Sequence, residues 1–167
     1  MRTSGNTVLI TGGGSGIGLA LTEALARHGN QVIICGRRRN RLRAAQDRVP
    51  GIHFRVCDVS NARSRQALVD WVLSEFRQLN VLINNAGIQR QVNFLKGSRD
   101  LGEADEEVGT NLIAPIHLSA QLLPHLRRKK EAAIVNITSG LAYTPLAVVP
   151  VSSAPKAALH SWSLSLR

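Results

Sequence analysis

The chain has 167 residues, 44% of them apolar, which suffices for a packed core and bounds the reading at one domain. Its net charge of +10 raises nucleic acid as a partner, but aromatics make up only 4% of the chain and do not interleave with the basic clusters. Those clusters, Arg37–Arg39 with Arg41 and Arg43, and Arg127–Lys130, read as solvated helix ends rather than a nucleic-acid face. No apolar run approaches the ~18 residues of a membrane span, and no charged start followed by an apolar cleavable segment opens the chain, so the expectation is a cytoplasmic protein. Cys35 and Cys57 have neither CxxC nor metal-ligand spacing and read as buried, reduced thiols, with no metal site.

In chain order, Thr7 to Ile10 is a short apolar run rich in β-branched residues, the composition of a strand buried on both faces. Thr11-Gly12-Gly13-Gly14-Ser15-Gly16-Ile17-Gly18 follows, and beyond it Leu21, Ala24, Leu25 and His28 keep helical spacing until Gly29 stops the pattern. Strand, glycine loop and helix in succession predict a phosphate cradle. Glycine permits a turn with positive φ, a close backbone approach to phosphate and tight packing of helix on strand. The unpaired N–H groups and positive dipole end of the helix favour a pyrophosphate there.

Gln31 to Gly36 predicts the second strand, a basic helix follows from about Asn40 to Arg48, and Pro50-Gly51 ends the unit. His53 to Cys57 is the third strand and leads into Asp58-Val59, after which Ala67, Leu68, Trp71, Val72 and Phe76 trace a helix face. Leu79 to Ile83 is the fourth strand, closed by Asn84-Asn85-Ala86-Gly87. Ile88 to Gly102 reads as a loop with a short turn. A long helix then runs from Glu103 to Arg128, bent at Pro115, with Leu112, Ile113, Ile116, Leu118 and Leu122 buried. Ala132 to Thr138 is the fifth strand, and a last helix runs from Ala154 to Leu166. This alternation predicts an α/β, Rossmann-like doubly wound parallel sheet of about five strands, with ligands outside the strands' carboxyl ends.

From Thr7 to Arg167 the spaced motifs resemble the short-chain dehydrogenase/reductase family. Gly12, Ser15, Gly16, Ile17 and Gly18 match its nucleotide loop, and Asp58 and Val59 match the pair that contacts adenine. Asn84-Asn85-Ala86-Gly87 matches the signature beside the adenosine ribose, from which Asn84, Ala86 and Gly87 are taken as cofactor-binding. Asn111, Ser139 and Lys156 match the proton-relay asparagine, the catalytic serine and the catalytic lysine, which also holds the nicotinamide ribose. Taken singly, Ser139 also reads as a strand-end turn residue, Asn111 as a surface amide, Lys156 as an exposed helical lysine and Asp58 as a helix N-cap. Val32–Arg37 and Pro155–Ser161 further resemble bacterial oxidoreductases encoded with D-alanyl-lipoteichoic-acid genes. The resemblance implies hydride transfer between a nicotinamide dinucleotide and a small carbonyl or alcohol substrate. It implies neither nucleic acid nor a membrane as partner, and association, if any, as a homo-oligomer through the long helices. Arg37, where a carboxylate would favour NAD, points to NADP with NAD as second candidate.

The pattern breaks at the general acid. The family's Tyr-x-x-x-Lys becomes Ser152-Ser153-Ala154-Pro155-Lys156, and a serine hydroxyl is less acidic and shorter than a phenol. Tyr143, the only tyrosine, has an offset from Lys156 that is wrong for one helical face. Pro155 is expected to delay the last helix and shift Lys156. Family members continue beyond the point reached by Arg167, so the chain also reads as C-terminally truncated, with the fifth strand an exposed edge. The alternative to an oxidoreductase is a non-catalytic dinucleotide-binding or partner-binding protein, or an inactive truncated gene product.

Overall fold

The computed structural model describes residues 2–166; Met1 and Arg167, where the resemblance ends, lie outside the described residues. Five strands, β1 (Thr7–Thr11), β2 (Gln31–Gly36), β3 (His53–Val56), β4 (Leu79–Asn84) and β5 (Ala133–Asn136), form one parallel sheet in the order β3-β2-β1-β4-β5. Helices α1 (Gly16–Arg27), α2 (Arg39–Arg48) and α3 (Ala62–Glu75) make the first crossovers. Parallel pairing aligns Val8, Leu9 and Ile10 with Val32, Ile33 and Ile34 on one side and Val81, Leu82 and Ile83 on the other. All nine are buried, because helices cover both faces of the central strands.

Each face has its own core. Leu9, Ile33, Leu82 and Leu79 pack with Leu68, Val69 and Val72 of α3 and with Leu118, Leu122 and Leu126. Val8, Ile10, Ile34 and Val81 pack with Leu42 and Ala45 of α2 and with the half-buried Leu21 and Leu25 of α1. Alternate residues of one strand therefore serve opposite layers, as a period of two requires. Cys35 and Cys57 are buried and free.

The helical phases depart from the sequence reading in places. His28 is exposed and its Nδ1 bonds to the Ala24 carbonyl, finishing α1 rather than joining its apolar stripe. Ala67 is exposed, and Val69 takes a core position instead. The segment expected as a loop contains a 3-10 stretch over Phe94–Asp100, kinked at Gly97, and the regular helix α4 (Leu101–Val108) begins before Glu103.

The single long helix is in fact three pieces: α4, a π-helical turn Gly109–Ile113 and α5 (Ala114–Leu126). The Ala114 N–H reaches back to the Gly109 carbonyl, widening the turn just before Pro115, which has no N–H of its own to place. Extra width rotates the apolar face, so that Ile113 is exposed, Leu112 and Ile116 are half-buried, and Leu118 and Leu122 remain in the core. The last helix, α6 (Pro150–Ser165), starts at Pro150, where a missing N–H is harmless, and continues through Pro155. Pro155 does not delay it.

Candidate nucleotide-binding and active site

The glycine loop turns from β1 into α1 at the carboxyl edge of the sheet. Ser15 takes the N-cap position in extended backbone, yet its hydroxyl does not cap the helix; it accepts from Arg38 Nη2 at 3.2 Å. The first-turn N–H groups of α1 are thus left to face the loop, the arrangement that receives an anion. Gly16 has φ of +54°, a left-handed conformation that favours glycine. Gly18 is required by contact: a Cβ there would stand 2.3 Å from the Gly12 carbonyl oxygen and 2.5 Å from Asn85 Nδ2.

An open cleft of about 460 Å³ lies over this loop, lined by Gly12, Ser15, Ile17, Gly18, Arg37 and Asp58 together with Val59, Ala86 and Gly87. Residues from four motifs far apart in sequence thereby meet at one edge of the sheet, and Ile17 is 65% exposed because it faces the opening rather than the core. Thr11 ties the rims together: its Oγ1 accepts from the Asn85 and Ala86 N–H groups at 3.0 and 2.9 Å. Gly16 and Lys156 are not on this lining, and neither is Asn84. Its amide donates to Asn136 Oδ1 at 2.8 Å and to Ser119 Oγ at 3.1 Å, so it is buried between β4, β5 and α5, turned away from the cleft.

Asp58 is not the N-cap of α3; Asn61 is, accepting from the Ser64 N–H at 2.9 Å. Asp58 instead makes a turn of its own, accepting from the Ser60 N–H and hydroxyl. Beneath that loop lies Arg65, 5% exposed, which donates to the carbonyls of Val59 and Ser60 and contacts His117 Nδ1. Sequence reasoning missed it, since an arginine in a polar helical turn carries no sign of burial.

Beside Gly87, which lines the cleft, Lys156 Nζ and Asn111 Oδ1 come within 3.8 and 3.2 Å of where a Cβ on that glycine would stand. The fold therefore converges three separately predicted residues on one point. Asn111 sits in the π turn, clamped to Ile88: its Oδ1 accepts from the Ile88 N–H at 2.9 Å and its Nδ2 donates to the Ile88 carbonyl at 2.7 Å. Lys156 donates to the Ile137 carbonyl at 2.8 Å, and burial pushes its pKa down against the pull of Glu107.

Ser152 precedes Lys156 by one turn on α6 and is 3% exposed. Its hydroxyl donates to Glu107 Oε1, so it is both short and already engaged. Glu107, fully buried on α4, also accepts from the Arg90 N–H at 3.0 Å and from Asn111 Nδ2 at 3.4 Å. Three donors around one carboxylate compensate its desolvation. Nothing in the sequence distinguished Glu107 from its acidic neighbours. Ser139 caps a 3-10 turn over Gly140–Ala142, accepting from the Leu141 N–H, and makes no hydrogen bond to Ser152 or Lys156 among the described residues. Tyr143, 68% exposed, bonds to the His160 ring and makes no hydrogen bond to Lys156 among the described residues.

A short chain dehydrogenase family model matches residues 6–167. The chain belongs to that family. It is 54% identical over its whole length to the Uncharacterized oxidoreductase DltE of Bacillus subtilis, of which it spans 66%, and 34% identical over 143 residues to L-fucose dehydrogenase of Bos taurus, of which it spans 50%. A metagenomic short-chain oxidoreductase solved in complex with NADP superposes with a TM-score of 0.90 at 28% identity, over 98% of this chain and 76% of that one. A 3-ketoacyl-(acyl-carrier-protein) reductase from Brucella melitensis complexed with NADH gives 0.91 at 26% identity, over 99% of this chain and 70% of that one. Among the described residues of this short-chain dehydrogenase, no helix is long and apolar enough to cross a membrane.

Proposed function

We propose that this chain is the dinucleotide-binding part, with a partial catalytic part, of a short-chain oxidoreductase that prefers NADP(H) and acts on a small carbonyl or alcohol. The observation that carries the reading is the convergence of Asn111 and Lys156 on Gly87, which lines the same cleft as the glycine loop. A nicotinamide bound there supplies hydride to a carbonyl carbon. The loop N–H groups and Asp58-Val59 hold the adenosine and pyrophosphate, and Lys156 holds the nicotinamide ribose. The remaining requirement is a proton for the carbonyl oxygen, and here the chain is deficient, because Ser152 gives its hydrogen bond to Glu107.

Positioned proton transfer contributes about 10² to 10⁴ in rate, so the sequence as it stands is expected to turn over at least that much more slowly than a phenol-bearing relative. The second reading, a dinucleotide-binding protein without catalysis, is favoured by that same Ser152–Glu107 contact. One experiment separates the two. NADPH oxidation is followed with a panel of aldehydes and ketones for the wild type and for Ser152→Tyr. A gain of at least tenfold in the variant supports an oxidoreductase short of its acid. No activity in either, with NADPH still binding, supports the non-catalytic reading, and wild-type turnover near 10 per second, typical of enzymes, defeats the account of a missing acid.

A further inference from the structure

Arg37, the residue whose type suggests NADP, already has an anion. Its Nη1 pairs with Glu106 Oε1 at 3.0 Å, and the other oxygen of Glu106 takes Arg90 Nη2 at 2.8 Å. Arg37 lines the cleft together with Gly36, Arg38 and Arg41, and with Ile88 and Thr110, while Glu106 belongs to α4. The ion pair therefore ties the lining of the cleft to α4. Arg90 and Arg37 together hold the Glu106 carboxyl below the usual carboxylate range, so the carboxylate is charged at neutral pH.

We propose that Glu106 sets the dinucleotide preference of the cleft by competing with a ribose 2′-phosphate for Arg37, which leaves Arg38 and Arg41 as that phosphate's principal grip. The proposal rests on the dinucleotide reading above. A guanidinium directs its paired donors at one anion at a time, so a 2′-phosphate that takes Arg37 must displace Glu106. A ribose without that phosphate asks nothing of Arg37 and leaves the pair in place. Displacement does not strand Glu106, because Arg90 retains it. Arg38 and Arg41 are easier to recruit: Arg38 gives up only a bond to the Ser15 hydroxyl, and Arg41 is in no ion pair among the described residues.

The magnitude follows from exposure. Arg37 and Glu106 are 50% and 35% exposed, which places their pair among surface ion pairs worth about 0.2–1 kcal/mol. Freeing Arg37 from it is expected to strengthen NADPH binding by about 1.4- to fivefold, with NADH affinity unchanged. The test titrates both reduced dinucleotides, by nicotinamide fluorescence, against the wild type, Glu106→Gln, Arg37→Gln and the double variant. The gain should be confined to NADPH and should vanish when Arg37 is also replaced. Replacing Arg38 and Arg41 together should cost more NADPH affinity than replacing Arg37. An equal gain for NADPH and NADH, no gain at all, or a gain that survives without Arg37 overturns the role of Glu106 and leaves the dinucleotide reading standing. Binding of neither dinucleotide to any of the proteins overturns both.

Discussion

Lys156 shows how a candidate site residue imprints itself on stability. Burial lowers its pKa in the folded chain, while the unfolded chain keeps the ordinary value near ~10.4. Between those two values the unfolded state binds more protons, so folding stability rises with pH across that interval. The wild type is therefore expected to gain stability relative to Lys156→Met as pH climbs toward the ordinary lysine value of ~10.4. Urea denaturation of both proteins across that range checks the slope, and a difference that stays flat or shrinks contradicts a desolvated ammonium. At this scale the sequence was legible in part: the glycine loop, Asp58 and Gly87 line one cleft and Asn111 and Lys156 approach Gly87, while Asn84 turns away and Ser139 makes no hydrogen bond to Ser152 or Lys156 among the described residues. It was silent on Arg65, Glu106 and Glu107. Each is a charged residue on an otherwise polar stretch, and only a long-range contact, such as Ser152 with Glu107 across 45 positions, tells it from a solvated one.

Among the elements, α6 was misread for a reason that can be stated. Two prolines, Pro150 and Pro155, each satisfy the rule for a first helical turn, and the sequence contains nothing to choose between them. The fold chooses Pro150, which keeps Ser152 and Lys156 one turn apart and places Pro155 in the interior, where the bond its N–H would have given to the Val151 carbonyl is missing. An interior proline costs about 3 kcal/mol relative to alanine, and the loss of the buried ring's packing offsets part of that. Pro155→Ala should therefore raise stability by about 1–3 kcal/mol, read as a higher urea midpoint at unchanged slope. An unchanged or lower midpoint means that the ring's packing balances the missing bond. The split of the expected long helix has the same origin: Pro115 marked a disturbance, but periodicity alone could not say that it would be a π turn and that Asn111 would lie within it.

At the scale of the whole molecule, the sheet has two unequal edges. β3 forms one edge, with two residues exposed and two half-buried, and β5 the other, with all four half-buried, so what distinguishes the β5 side is the apolar segment that follows it. The segment after β5 carries Tyr143, Leu146 and Val148 at 68%, 49% and 74% exposure, and α6 adds Leu164 at 48%. An open strand edge beside exposed apolar side chains favours association. The 167-residue chain on its own is therefore expected to sediment as a concentration-dependent mixture at micromolar levels. Two surfaces compete to explain such behaviour. If the β5 side is responsible, Leu146→Lys with Val148→Lys should return the chain to monomer without loss of stability, since neither side chain is in the core. If the long helices associate instead, Ile113→Lys, 40% exposed on the π turn, should do so and the other pair should not. A monomer at every concentration removes both surfaces. The apolar area gathered after β5 exceeds the single side chain exposed on the π turn, so the first outcome is the one expected.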